Sequence, residues 1–261
     1  MSQSYTSDDL KTLFAFPFQD TNWKNKFLIG SLVVLSGFVI PLVPFFIVYG
    51  YMVQIMRRII VEKGEPYLPE WDDWGKMLVD GLKLFGAIMV YILPFFLLFC
   101  AGFAFFFLSI GLTGAAGAAT EQSGETPSPA IAIFPVLGMF GMFATFGILM
   151  VFSVILGFMM PAIMGHVVAT DEFAAAFRFR EWWSIFRANL GGFLIAYIIV
   201  MAISVAINFG MYILYITLIF CCLLPFILPP IIMYMIVLQA VVFGQAYREG
   251  VQKLQEQGTT S

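Results

Sequence analysis

Four long stretches of the chain contain no Asp, Glu, Lys or Arg: Phe27 to Met56, Leu84 to Thr120, Thr126 to Thr170 and Leu190 to Tyr247. Each exceeds the roughly 20 residues that cross a bilayer as a helix. Between them, apolar and charged residues interleave with helical spacing. Trp71, Trp74, Leu78, Leu82 and Phe85 fall on one stripe, with Asp72, Asp73, Lys76, Asp80 and Lys83 on the other faces. Phe179, Trp182, Trp183, Phe186 and Leu190 repeat the pattern against Arg180, Glu181 and Arg187, and Leu10, Leu13 and Phe14 do so after the capping candidates Thr6 and Ser7. The pattern predicts an all-α protein, a polytopic transmembrane helical bundle of about five to six membrane segments with interfacial amphipathic helices between them.

The first apolar stretch carries Pro41 and Pro44 in its middle. As one helix it would reach roughly 45 Å, against a hydrocarbon core near 30 Å. Proline removes a backbone donor and disfavours helix in the residue before it, so a turn at Pro41 to Pro44 splits the run into a hairpin. A single tilted and kinked helix is the rival.

Charge sets the expected orientation. The thirteen Lys and Arg residues fall into four groups, around Lys11 to Lys26, Arg57 to Lys83, Arg178 to Arg187 and Arg248 to Lys253. The Gly, Ala, Ser and Pro-rich connection Gly111 to Ala130 holds only Glu121 and Glu125, so the positive-inside rule puts it outside as a mobile loop. With the hairpin, both termini are then cytoplasmic in a multi-pass protein of the cell membrane, and no removable leader is evident. The expected division is a cytoplasmic amphipathic segment over 1–26, the proline-broken membrane segment over 27–60 and a cytoplasmic interfacial helix over 61–83. A second helix pair covers 84–165 with the loop 111–130, an interfacial helix 166–189, a third pair 190–247 and a polar tail 248–261.

This order reads as three repeated helix-hairpin units. The segments enter as Asp20 to Trp23 with Gly30 seven residues on, Asp72 to Trp74 with Gly81 seven on, and Glu181 to Trp183 with Gly191 eight on. The returning helices leave near Gly50, Gly165 and Gly244.

Composition agrees with a lipid solvent: 61% of residues are hydrophobic and 11% charged, whereas soluble domains are near a quarter charged. Cys100, Cys221 and Cys222 lie in apolar segments and form no paired motif, so they read as small core residues, with no metal site and no cofactor expected. A net charge of −3 with no block of like charges gives no reason to expect nucleic acid as a partner.

The stretch from Gly50 to Lys83 resembles the signature of the domain of unknown function 4013 family of bacterial and archaeal membrane proteins. Gly50-Tyr51, Arg57 and Arg58, Gly64, Leu68-Pro69-Glu70, Asp73-Trp74 and Gly81 carry the likeness, with Trp23 and Gly30 upstream. It is most specific from Trp23 to Pro94. The segment from Pro161 to Gly192 is also similar to the helix-loop-helix of other repeat-built bacterial membrane proteins, such as the membrane domain attached to some glycerophosphodiester phosphodiesterases. Neither resemblance implies an activity or a catalytic residue.

The chain has no phosphate-binding loop, no paired-histidine zinc motif and no nucleophile elbow. His166 is the one histidine and reads as an interfacial residue at a helix exit. Asp72, Asp73, Asp80 and Glu70 alternate with Lys76 and Lys83, which favours an ion-paired face over a catalytic or metal-binding cluster. No catalytic residue is therefore assigned and the protein is not expected to be an enzyme. Arg57, Arg58, Trp71, Asp72, Asp73, Trp74, Arg178, Trp182, Trp183 and Arg187 are the candidates for an interfacial or partner-docking surface, the plainer reading being anchorage at the headgroups. A scaffold, assembly factor or subunit of a membrane complex ranks first. A transporter or lipid-handling protein for a neutral or amphipathic cargo is the alternative, and the expected partners are membrane lipids and a protein of such a complex.

Overall fold

The computed structural model describes residues 7–124, 131, 133–216 and 223–259, and among these every regular element is helical. In chain order they are α1 (Ser7–Ala15), a 3₁₀ turn (Phe16–Phe18), α2 (Trp23–Ser36), α3 (Val43–Ile60), α4 (Trp74–Ser123) and α5 (Ile133–Thr170). A second 3₁₀ turn (Phe173–Phe177), α6 (Phe179–Ala188), α7 (Leu190–Ile216) and α8 (Leu224–Thr259) follow. Thr6 and the cysteines Cys221 and Cys222 lie outside the described residues, as do Glu125 to Ala130.

Phe27 to Met56 belongs to two helices. Trp71 shows that they are antiparallel: its indole N–H donates to the Lys26 carbonyl at the start of α2 (3.0 Å), and its ring stacks on Tyr51 in the second half of α3 (4.3 Å). The chain reverses between these points, through a bend in which Leu42 takes a φ of 74° and Pro44 occupies the first turn of α3. There its missing N–H is not needed by the helix. At 1.5 Å per residue, the 14 residues of α2 rise about 21 Å, less than a bilayer core.

Two compact units are built from these helices. One comprises the chain up to Ile88 and from Phe158 onward, the other Met89–Gly157. The second is a helical hairpin made by the continuing parts of α4 and α5. Its seam is small: a Cβ on Gly102 would meet Thr145, one on Gly138 would meet Ser109, and one on Gly141 would meet Phe105, all below 3.0 Å. Small residues let two helices approach in lipid, where burial of apolar area supplies no drive. Phe99 and Phe103 pack edge-on to Phe146 beside that seam, while Phe107, Phe140 and Phe143 face outward.

In the first unit α8 is the centre, packing against α1, α2, α3, α6 and α7. Its buried face includes Met233, Val237, Ala240, Val241 and Tyr247. The closest approach is between α3 and α4, where a Cβ on Gly50 would fall 1.9 Å from the Met77 carbonyl oxygen and one on Gly81 1.7 Å from that of Phe46.

Several sequence expectations change here. Gly111 to Ser123 continues α4 as helix where a loop is expected; its glycines are outnumbered by Ala, Leu and other helix-compatible residues. The interfacial helix expected over 61–83 begins only at Trp74, because Pro66 and Pro69 and a positive φ at Lys63 hold the preceding segment open. The buried stripe of α4 is also different. It runs through Met77, Asp80, Gly81, Leu84 and Ala87, while Val79 and Leu82 face outward. A glycine contact and a neutralised carboxylate outrank hydrophobicity when the surroundings are hydrocarbon.

Candidate functional site

Not all of the candidate docking residues lie at the surface, since Trp71 and Trp182 are buried. Arg57, near the end of α3, donates to the buried Asp80 carboxylate of α4 (2.8 Å) and to Asp171, in the turn after α5 (3.1 Å). Lys83 reaches the same Asp171 carboxylate at 3.1 Å and its carbonyl at 3.1 Å. Three separate parts of the chain are thereby tied together. Burial raises the Asp171 pKa, but the Lys83 hydrogen bond and the Arg57 charge outweigh it and hold the carboxyl below its ordinary value. Arg58 pairs with Glu62 four residues on and Arg178 with Glu172.

Trp71 is buried between α2 and α3 and Trp182 is fully buried, its N–H donating to the Ala176 carbonyl (3.2 Å). The expectation of two headgroup-facing tryptophans gives way to two packing residues, each with its polar atom satisfied inside the protein. Trp183 is half-buried and stacks on Phe179 (5.2 Å). Asp73 caps α4, its carboxylate accepting the Lys76 N–H (3.0 Å), and Asp72 accepts the Asp73 N–H (2.9 Å). Of the ten candidates, Asp72, Asp73, Trp74, Arg178 and Arg187 are exposed, and Arg178 is already paired. The four acids once grouped as a cluster diverge: Glu70 pairs with Lys26, Asp80 with Arg57, and Asp72 and Asp73 serve the α4 terminus.

Three polar centres have no counterpart in the candidate set, one of them Asn189, buried against the Ala246 carbonyl and Lys253. Lys26, buried at the start of α2, contacts Asp20 (2.8 Å), Glu70 (2.8 Å) and the Leu68 carbonyl (2.7 Å). Its hydrogen bond holds the Asp20 carboxyl below the ordinary range, against a smaller effect of burial. His166 is buried within the protein: Nδ1 lies 2.8 Å from the Tyr247 hydroxyl and Nε2 3.1 Å from Glu181. A neutral ring with the proton on Nε2 satisfies both contacts, Tyr247 donating and Glu181 accepting. Nothing local in the sequence signals that α5, α6 and α8 meet there, since Tyr247 is 81 residues from His166.

A concave feature of this unit lies between α2, α7 and α8, a groove of about 700 Å³. Leu28, Leu32 and Leu35 line it from α2, Ile203 and Ile207 from α7, and Phe226, Pro229, Pro230 and Tyr234 from α8. Pro229 and Pro230 cannot donate to the carbonyls four residues earlier, which loosens α8 on this side. The α2 residues recur every three or four positions, a period visible in the sequence. That the facing wall would come from α7 and α8 is not visible there.

Among the described residues five helices, α3, α4, α5, α7 and α8, are long and apolar enough to cross a membrane. With leucines and phenylalanines facing outward along these helices, the chain is a multi-pass α-helical integral membrane protein. It belongs to the family described as Protein of unknown function (DUF4013), whose model matches residues 33–216. The match extends well past Pro94, where the sequence likeness is most specific. No curated protein and no solved structure matches the chain.

Proposed function

We propose that the protein handles lipid: a non-catalytic protein of the cell membrane that holds the hydrocarbon part of an amphiphile in the groove between α2, α7 and α8, with both termini cytoplasmic. The groove carries this reading. Its volume of about 700 Å³ lies within the roughly 300–1,000 Å³ of pockets that take a small ligand, and its walls are almost wholly hydrocarbon. We favour this alternative over the scaffold ranked first by the sequence because three of the four candidate docking cations, Arg57, Arg58 and Arg178, hold partners within the chain, Arg187 being the exposed one that remains. Arg57 and Arg58 in the last turn of α3, and Arg248 and Lys253 in the last third of α8, support the cytoplasmic assignment.

Extraction of the tagged protein from its own membrane into lipid particles, followed by mass spectrometry, tests the reading. About one lipid per chain should survive detergent washing, and filling the groove by Leu32→Trp or Ile207→Trp should remove it. A stoichiometric protein partner with no retained lipid would overturn the proposal in favour of the scaffold.

A further inference from the structure

We infer that the groove selects an anionic phospholipid, with one acyl chain along α2 and the headgroup at Lys24; this rests on the lipid-handling reading. The α2 wall has the polarity of such a molecule. Lys24 is followed on the same face by Leu28, then Ser31 and Leu32, then Leu35, so a single cation stands at one end and side chains at the other are apolar. Aromatic residues sit at the cationic end, Trp23 and Tyr234 among them with polar edges. Phe18 packs edge-on to Trp23 (5.0 Å) and stacks on Tyr234 (6.0 Å), and the Lys24 ammonium lies 5.9 Å from the Trp23 ring centre. That combination suits the level of lipid headgroups.

The two lysines at the start of α2 differ in what they hold. Lys26 is buried and closed by Asp20, Glu70 and a carbonyl. Lys24 is exposed and forms no ion pair among the described residues, and no Asp or Glu lines the groove. The groove's own charge is therefore a lone cation above hydrocarbon. A phosphate whose negative charge is uncompensated within its headgroup complements it, while a zwitterionic headgroup brings a second ammonium into the same space.

The test uses the full chain in detergent with an equimolar mixture of dioleoyl phosphatidylglycerol and dioleoyl phosphatidylcholine, and native mass spectrometry of the retained lipid. An exposed ion pair is worth up to about 1 kcal/mol, so phosphatidylglycerol should exceed phosphatidylcholine by about two- to fivefold. Lys24→Gln should bring the ratio to about one with phosphatidylcholine retention unchanged, and Lys24→Arg should keep the preference. Leu32→Trp, or Ile207→Trp from the opposite wall, should lower retention of both lipids, with helicity by circular dichroism checking that each variant folds. Equal retention of the two lipids by the parent protein, or a ratio that Lys24→Gln leaves intact, overturns the headgroup assignment and spares the lipid-handling reading. Absence of retained lipid, or retention indifferent to both groove-filling variants, overturns the lipid-handling reading itself.

Discussion

Replacing Gly81 by alanine probes the crossing of α3 and α4. The added Cβ would stand 1.7 Å from the Phe46 carbonyl oxygen and 2.7 Å from the Gly50 nitrogen, where ordinary contact begins at 3.4 Å. Both obstacles are backbone, so no rotamer change relieves them, and the helices must separate by about 1.7 Å in a close-packed interior. That movement also stretches the 2.8 Å contact between Arg57 and Asp80, which bridges the same two helices. Overpacking with movable side chains costs about 1–3 kcal/mol, and a backbone collision belongs at the upper end or above it. Gly191 occupies the equivalent place in the repeated sequence pattern yet has no atom within 4 Å of its added Cβ. There, in the first turn of α7, alanine gains up to about 1 kcal/mol of helix propensity. Thermal unfolding of the two variants in detergent, followed by tryptophan fluorescence and size-exclusion elution, separates the cases. Gly81→Ala should melt well below the parent and Gly191→Ala at or above it; coincident melting of the two variants would refute the close crossing.

Arg57→Ala should destabilise by about 3–5 kcal/mol, since it leaves the Asp80 carboxylate buried and unpaired, whereas Asp80→Ala should cost less because Arg57 keeps Asp171; a double-mutant cycle in urea with no coupling would count against the pair. Tyr247→Phe removes the hydroxyl on His166 and should cost about 1–3 kcal/mol, measurable as a lower urea midpoint. The Asp20 carboxyl has a depressed pKa in the folded protein, so its contribution is complete above the ordinary carboxylate range near pH 4 and is lost as pH falls below it. Asp20→Asn should flatten the part of the acid stability profile that arises there, and an unchanged profile would exclude that role.

The legible part of this protein is what local pattern encodes. Charge-free stretches predict α4, α5, α7 and α8, and the prolines at 41 and 44 mark the place where α2 and α3 separate. Gly50, Gly165 and Gly244, picked out as helix exits, each meet another element, at Met77, Tyr247 and Ile59. What local pattern misreads is the direction of each face. Leu82 has the spacing of a buried residue and Asp80 that of a solvated one, but the reverse holds once Arg57, 23 residues away, supplies the counter-charge. In hydrocarbon a leucine gains nothing by turning inward, so hydrophobicity stops distinguishing core from surface. The groove was hidden for a further reason, because its walls come from helices about 170 to 200 residues apart and only their packing joins them.

The central place of α8 bears on how the chain is made. This helix follows α2, α3, α6 and α7 in the chain, and all four lean on it. Translation proceeds from the N-terminus, so the earlier helices enter the bilayer before the face they are shaped for exists. Met233, against which Gly30 packs, and Gly244, which fits Ile59, arrive only after those helices have been made. A chain that stops before Leu224 therefore lacks both one of its spanning helices and the face on which α2, α3, α6 and α7 pack, and its first unit stays unassembled.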